Sequence, residues 1–295
     1  MNCGFMQNII LLTDSALLDA PMKTYSKEIL GYLYDPKKRY FHVVVELKNE
    51  KGALANLCSA FAAGDINLLN GFISISPEGN SGILSTFAQA EDPEKTASDI
   101  QGVADSCKFT IKCMIKESVN GLLVDTFHFP LKMTPGNDSI LMSVNVLSRM
   151  FKELRETFGS GGSMILYNEG LAVGKSWMEA ISVRTGRENA LKHLNELFQI
   201  YHASGWGMID MTSDSSTLND VKMRVWDSFE CSGQHAVRPY SQFMRGMING
   251  SCRTLSNLAT QCDEMKCVAA GDRYCEFWVH GPELNETPVE KQPLA

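Results

Sequence analysis

The stretch from Gln261 to His280 constrains this chain more than any other. Glu264-x-x-Cys267 is followed, after Ala269-Ala270-Gly271-Asp272, by Cys275 and an alternating run from Tyr274 to His280. Gly-Asp after two small residues reads as a tight turn. Alternation of apolar and polar residues reads as a half-buried strand. The segment is therefore expected to be a hairpin that brings two thiols and a carboxylate together. Such a donor set suits a borderline-soft cation such as zinc. Free cysteines are also common as small buried apolar residues, and two neighbouring thiols can form a disulfide, so all three readings stand at this point.

The pattern Glu-x-x-Cys-x-Ala-x-Gly-Asp-x-x-Cys-x-Phe-x-Val, from Glu264 to Val279, resembles the C-terminal signature of the 4-vinyl reductase domain family. The resemblance covers about residues 129–280. It implies a small-molecule-binding domain of mixed α+β architecture, of the kind found in a chlorophyll-biosynthesis protein, in archaeal proteins and in sensors of aromatic compounds. It also implies that Glu264, Cys267 and Cys275 belong to a structural zinc site completed by an upstream cysteine that opens the preceding helix. At that place this chain has Ser241, whose protonated hydroxyl is a poor ligand. Cys231 is the candidate replacement, because it shares an apolar strand face with Val221, Met223, Val225 and Phe229. Cys262, a bound water, or a site without metal are the alternatives.

A chain of 295 residues favours two domains. Its composition, 44% apolar and 21% charged, is that of an ordinary globular protein. A formal charge of −7, with no cluster of Lys and Arg on a predicted helix, argues against a nucleic-acid partner. No apolar run has the length of a membrane span. The N-terminus lacks the basic and apolar regions of a secretion signal, and nine scattered cysteines suit a reducing compartment. The expectation is cytoplasmic, with no membrane partner.

Residues 1–38 carry no functional signal; Asn8–Leu12 is a possible strand, Thr24–Leu33 a possible short helix. Residues 39–118 read as strand, helix, two strands, helix, strand, a ferredoxin-like βαββαβ order. Asn49-Glu-Lys-Gly52 before the first helix, and Gly64-Asp-Ile-Asn67 after it, resemble an ACT domain, a regulatory module that commonly binds amino acids. The resemblance implies a ligand between Asn49, Gly52, Ala53 and Asn67 across a homodimer interface. Lys51 replaces the usual proline, and a module kept only for pairing is the alternative. Residues 119–128 are expected to be a linker and 282–295 a disordered tail.

Within residues 129–281, an amphipathic helix is expected from Asp138 or Ser139 through Phe158, ended by Gly159-Ser-Gly-Gly162. Met164–Asn168 is expected as a strand. Gly170-Leu-Ala-Val-Gly174-Lys175-Ser176 has three residues between its glycines, one too few for a phosphate loop. Further helices are expected over Arg187–His202 and Tyr240–Leu255, and strands over Trp206–Thr212 and Val221–Cys231. Trp177, Trp206, Trp226 and many methionines are candidates to line an apolar ligand pocket, or simply to fill the core. The six histidines show no nucleophile pairing, His235 being the one worth testing, and no dinucleotide fingerprint follows a strand. The reading is a non-catalytic regulatory or sensor protein without an output domain, signalling through an unknown protein partner. The alternative is a reductase, or reductase accessory, acting on a vinyl-bearing tetrapyrrole or related substrate.

Overall fold

A computed structural model describes residues 25–281 apart from 30, 135, 186–189, 213–217 and 219. Asn8–Leu12 and the tail 282–295 lie outside the described residues. The chain divides into two compact units, one spanning Lys23–Ile140 and the other taking in everything from Leu141 onward.

The first unit contains β1 (Tyr32–Tyr34), β2 (Phe41–Lys48), α1 (Ala53–Ala63), β3 (Ile66–Ile75), β4 (Ser81–Ala90), α2 (Ala97–Asp105), β5 (Thr110–Glu117), β6 (Leu122–Val124), β7 (Lys132–Thr134) and β8 (Asn137–Asp138). Four strands form an antiparallel sheet of order β3-β4-β2-β5. On β2, Phe41, Val43, Val45 and Leu47 alternate onto the face that packs on Leu57 and Phe61 of α1 and Ile100 and Ala104 of α2. Gly52 stands at the N-cap of α1 with φ 87°, a left-handed conformation that costs glycine least. Thr96 and Asp99 form a capping box on α2, which satisfies amides that would otherwise lack partners.

The reverse face of this sheet is also covered. β6 pairs with β1, and Leu123 of β6 is fully buried against Tyr40 and Phe87. Residues 119–128, expected as a linker, thus include a strand and belong to this unit's packing. Tyr25–Ile29 and Tyr32–Tyr34 are not helical either. The expected helix there rested on too short a pattern, and pairing with β6 decides the extended form.

The second unit contains α3 (Val144–Phe158), α4 (Ser160–Thr185), α5 (Ala190–Ala203), β9 (Met208–Met211), β10 (Asp220–Trp226), α6 (Gln242–Ser256), β11 (Gln261–Lys266) and β12 (Cys275–His280). Its antiparallel sheet has the order β11-β12-β10-β9. The hairpin expected at the C-terminal end is present, with a 3₁₀ turn over Val268–Ala270 and Gly271 at φ 104°.

The largest departure from expectation is α4. Met164–Asn168 is helical, and the glycine-rich runs at 159–162 and 170–174 do not break the chain into strand and turn. A short apolar run cannot by itself distinguish a buried strand from a buried helix. The glycines have another use. Gly170 and Gly174 of α4 face Gly246 and Gly250 of α6, and a Cβ at any of the four would overlap the other helix's backbone. Paired small residues let the two helix backbones touch, so α4 and α6 form the centre of this unit.

Two other elements begin or end differently. α3 starts at Ser143, whose hydroxyl accepts from the Val146 amide, and Ile140 is 90% exposed, so the helix is shorter than its apolar stripe. β10 stops at Trp226 because Asp227 turns to φ 50°. Cys231 is buried as expected, but in the turn that follows the strand.

Candidate metal centre

The start of α6 organises the site. The first amides of any helix lack intrahelical acceptors. Ser241 stands at the N-cap of α6, yet its hydroxyl makes no cap bond. Two buried carboxylates take its place. Glu230 accepts from the Phe243 amide at 3.1 Å and the Met244 amide at 2.8 Å. Glu264 Oε2 accepts from the Ser241 amide at 2.8 Å. Negative charge at a helix N-terminus is stabilised by the helix dipole. Glu230 is also ion-paired with Arg155 of α3, whose guanidinium donates to Tyr240 O at 2.9 Å and lies 3.9 Å over the Tyr240 ring.

Freed from capping, the Ser241 side chain turns toward sulfur. Its Oγ lies 3.0 Å from Cys231 Sγ and 3.8 Å from Cys275 Sγ. Cys231 Sγ lies 3.6 Å from Cys267 Sγ and 3.6 Å from Cys275 Sγ. One donor atom from each of Cys231, Glu264, Cys267 and Cys275 falls within 4.8 Å of the others, and all four residues are buried. The hairpin turn fixes the pair at its end: Asp272 accepts from the Cys267 amide at 2.8 Å, and the Val268 amide donates to Cys275 Sγ at 3.4 Å.

This donor set fits a tetrahedral cation. Zinc–sulfur bonds near 2.3 Å put ligand sulfurs about 3.8 Å apart, close to the spacing found. Glu264 Oε1 is buried and makes no hydrogen bond, a costly arrangement that a cation would relieve. Without a cation the cluster is electrostatically awkward. Burial, and then the charge on Cys267, push the Glu264 carboxyl up to about 8. Hydrogen bonds from the Cys231 and Cys275 thiols hold the Cys267 thiol far below its ordinary range. Cys231, donating to Cys267 and buried, is pushed up to about 12. One thiolate serves the group where a bound cation would sustain several. Cys262 is buried but lies outside this group.

The remaining sequence candidates are dispersed. Asn49 donates to Gly79 O at 2.8 Å, and its amide bonds Asn80 O beside the start of β4. Asn67 pairs with Gln89 near the end of β4. Eight residues of strand separate the two ends, about 27 Å, so one chain does not bring Asn67 to Asn49, Gly52 and Ala53. Trp177 packs edge-on to Tyr201, and Trp226 packs on Tyr274. Trp206, Phe151, Phe229 and Phe243 pack on one another at ring separations of 5.0–6.0 Å, as core. His235 is exposed and borders a cleft of about 670 Å³ shared with Arg155, Tyr240 and Gln242.

Glu230 and Arg155 escaped sequence reading, since neither stands in a motif. A clue was there: an acidic residue beside a cysteine at the end of an apolar run must be compensated when buried.

Residues 221–280 match the family model of the vinyl-4-reductase domain, the type that the Glu264–Val279 pattern resembles. No curated protein matches the chain. Among solved structures, the phenol-responsive sensory domain of the transcription activator PoxR with phenol is 19% identical, with 48% of this chain and 76% of that chain covered and a TM-score of 0.45. A vinyl-4-reductase family protein from Methanocaldococcus jannaschii is 16% identical, with 49% and 85% covered and a TM-score of 0.35. A trafficking protein particle complex subunit 3 from Naegleria fowleri, covalently bound to palmitic acid, is 14% identical, with 48% and 95% covered and a TM-score of 0.39.

Proposed function

We propose that the chain is a non-catalytic regulatory protein whose second unit is a small-molecule-binding domain of the vinyl-4-reductase type, held by a structural cation, zinc by its donor set. The observation that carries this reading is the buried Cys231–Glu264–Cys267–Cys275 cluster inside the segment that matches the family model. Three thiols and a carboxylate with no exit to solvent leave no open coordination position, which suits structure rather than hydrolytic chemistry. The ligand is an apolar or aromatic compound held by the second unit, with Trp177 and Trp226 as the residues to test.

The first unit is read as an ACT-like, ferredoxin-like module, supported by its βαββαβ element order and its sheet order β3-β4-β2-β5. An amino acid bound by Asn49, Gly52 and Ala53 would need Asn67 from a second copy, so the reading requires a homodimer. Among the described residues no helix is long and apolar enough to cross a membrane, and the acidic balance argues against nucleic acid; a cytoplasmic protein acting through a protein partner is the consistent picture.

A thermal-shift screen of phenols, other small aromatics and amino acids tests the function. A ligand that binds only the folded state raises its melting temperature with concentration. The reading requires at least one compound with saturable stabilisation that Trp177→Ala, Trp226→Ala or Asn49→Ala reduces. Stabilisation by none of them, with the protein folded, would count against a sensor.

A further inference from the structure

The second group of potential metal ligands lies in the first unit, far in sequence from any motif. His42 is the polar position in the otherwise apolar start of β2. Its neighbours Phe41 and Val43 face the helices, so His42 faces the opposite side of the sheet. There it meets Phe87 of β4 edge-on at 4.9 Å and Phe127 at 5.1 Å. It is 1% exposed. Its Nε2 lies 2.9 Å from Ser85 Oγ. Its Nδ1 is buried and makes no hydrogen bond, although Asp125 Oδ1 stands 3.7 Å away.

Asp125 follows β6 and is firmly placed. Its Oδ1 accepts from the Phe127 amide at 3.0 Å and the His128 amide at 3.2 Å. Both of its oxygens lie 2.9–3.0 Å from His128 Nδ1. The His128 ring stands against Phe72 of β3 at 4.9 Å and 5.6 Å from the His42 ring. Donor atoms of His42, Asp125 and His128 fall within 4.8 Å of one another.

We propose that His42, Asp125 and His128 form a second metal site, one that binds an exchangeable divalent transition-metal ion such as zinc, cobalt or nickel. When Nε2 donates to Ser85, the Nδ1 lone pair of His42 points toward a carboxylate oxygen with nothing between them. Two electron-rich atoms facing across a buried gap repel, and a cation in that gap removes the repulsion. The Ser85 hydroxyl is then the partner that fixes the tautomer of a ligating histidine.

The charge state of His42 agrees. Burial lowers its pKa; Asp125 raises it, while His128 and Lys116 lower it further. The net shift is downward, so the ring is neutral and able to coordinate near neutral pH. Lys116 is the cross-strand partner of His42 on β5, but its ammonium is engaged by Thr126 Oγ1 at 3.2 Å and Val124 O at 3.5 Å. Two imidazoles and one carboxylate select borderline transition metals over calcium or magnesium. Three protein ligands leave a position for water or a small ligand, unlike the closed thiol cluster. His128, 26% exposed at its side chain, provides the contact with solvent that exchange requires.

The test uses the full chain, stripped of metal under reducing conditions and titrated with zinc, with stoichiometry read by calorimetry and by elemental analysis after desalting. Cobalt in place of zinc assigns each equivalent, because thiolate ligands give an intense charge-transfer band that nitrogen and oxygen ligands do not. The expected result is one equivalent without thiolate character that survives Cys275→Ser and is lost in His128→Ala and in Asp125→Asn. Those two positions are partly exposed, so the variants keep the fold even if His42→Gln does not. A wild type with no such equivalent, or one that His128→Ala and Asp125→Asn both retain, overturns the proposal whatever the thiol cluster does. A titration of His42 with Asp125 by proton alone gives the first of these results.

Discussion

The contact between α4 and α6 sets where Ser241 and Glu264 meet, so it is the place to perturb the fold with one atom. In Gly174→Ala the new Cβ would stand 2.8 Å from the Met247 carbonyl carbon and 3.0 Å from the Ser251 nitrogen, and nearer still to the Met247 oxygen. Ordinary van der Waals contact begins near 3.4 Å. The obstacle is helix backbone on both sides, so relief requires moving a helix rather than turning a side chain. Overpacking of this kind costs roughly 1–3 kcal/mol, and a position between two backbones belongs at the upper end. Replacing a helical glycine by alanine returns about 1 kcal/mol. The net is about 2 kcal/mol of destabilisation, a fall of roughly 4–8 °C in the Tm of a unit this size. Gly161→Ala in the same helix is the control: its Cβ would meet only Phe158 Cβ at 4.0 Å, so its Tm should hold or rise slightly. Scanning calorimetry of both variants decides it. A Gly174→Ala protein at least as stable as wild type would refute the claim that these backbones touch.

Other consequences follow from the same unit. Arg155→Ala leaves Glu230 buried without its counter-ion, which should cost about 3 kcal/mol or more, read as a shifted denaturant midpoint at unchanged slope. Ser241→Cys adds a thiol 3.0–3.8 Å from the existing sulfurs and should slow zinc loss to a competing chelator. Asp210 has a carboxyl raised above its ordinary range by burial, with Arg224 opposing, and its Oδ2 makes no hydrogen bond. A carboxyl raised on folding favours the folded state below its unfolded pKa, and that contribution is lost as pH rises through the folded value. Asp210→Asn should therefore flatten the decline in stability above about pH 4, as followed by thermal melts across pH.

Sequence reading succeeded where period and turn chemistry agree. The β2 to β5 run and the terminal hairpin are legible because alternating strands end in Gly-Asp or Asn-rich turns. The burial of Cys231 was legible from the apolar face of Val221 and Val225, although the strand itself ends before it. Reading failed at α4, where glycines that look like breakers are instead the contact surface of a helix. That role depends on Gly246 and Gly250, more than seventy residues away in the chain, and local pattern cannot report a distant partner. His42 and His128 were missed for the same reason. Each is unremarkable alone, and only the fold of residues 119–128 back onto the sheet brings them together.

Metal content is the most direct test of the central claim. Wild type and Cys275→Ser, purified without an affinity tag, are compared by elemental mass spectrometry and by melting of the second unit. The account predicts one equivalent of zinc in wild type that Cys275→Ser lacks, together with a clear loss of stability, because structural metal binding contributes directly to folding. Equal metal content and equal melting in the two proteins would contradict it, and would make the three thiols ordinary members of the core.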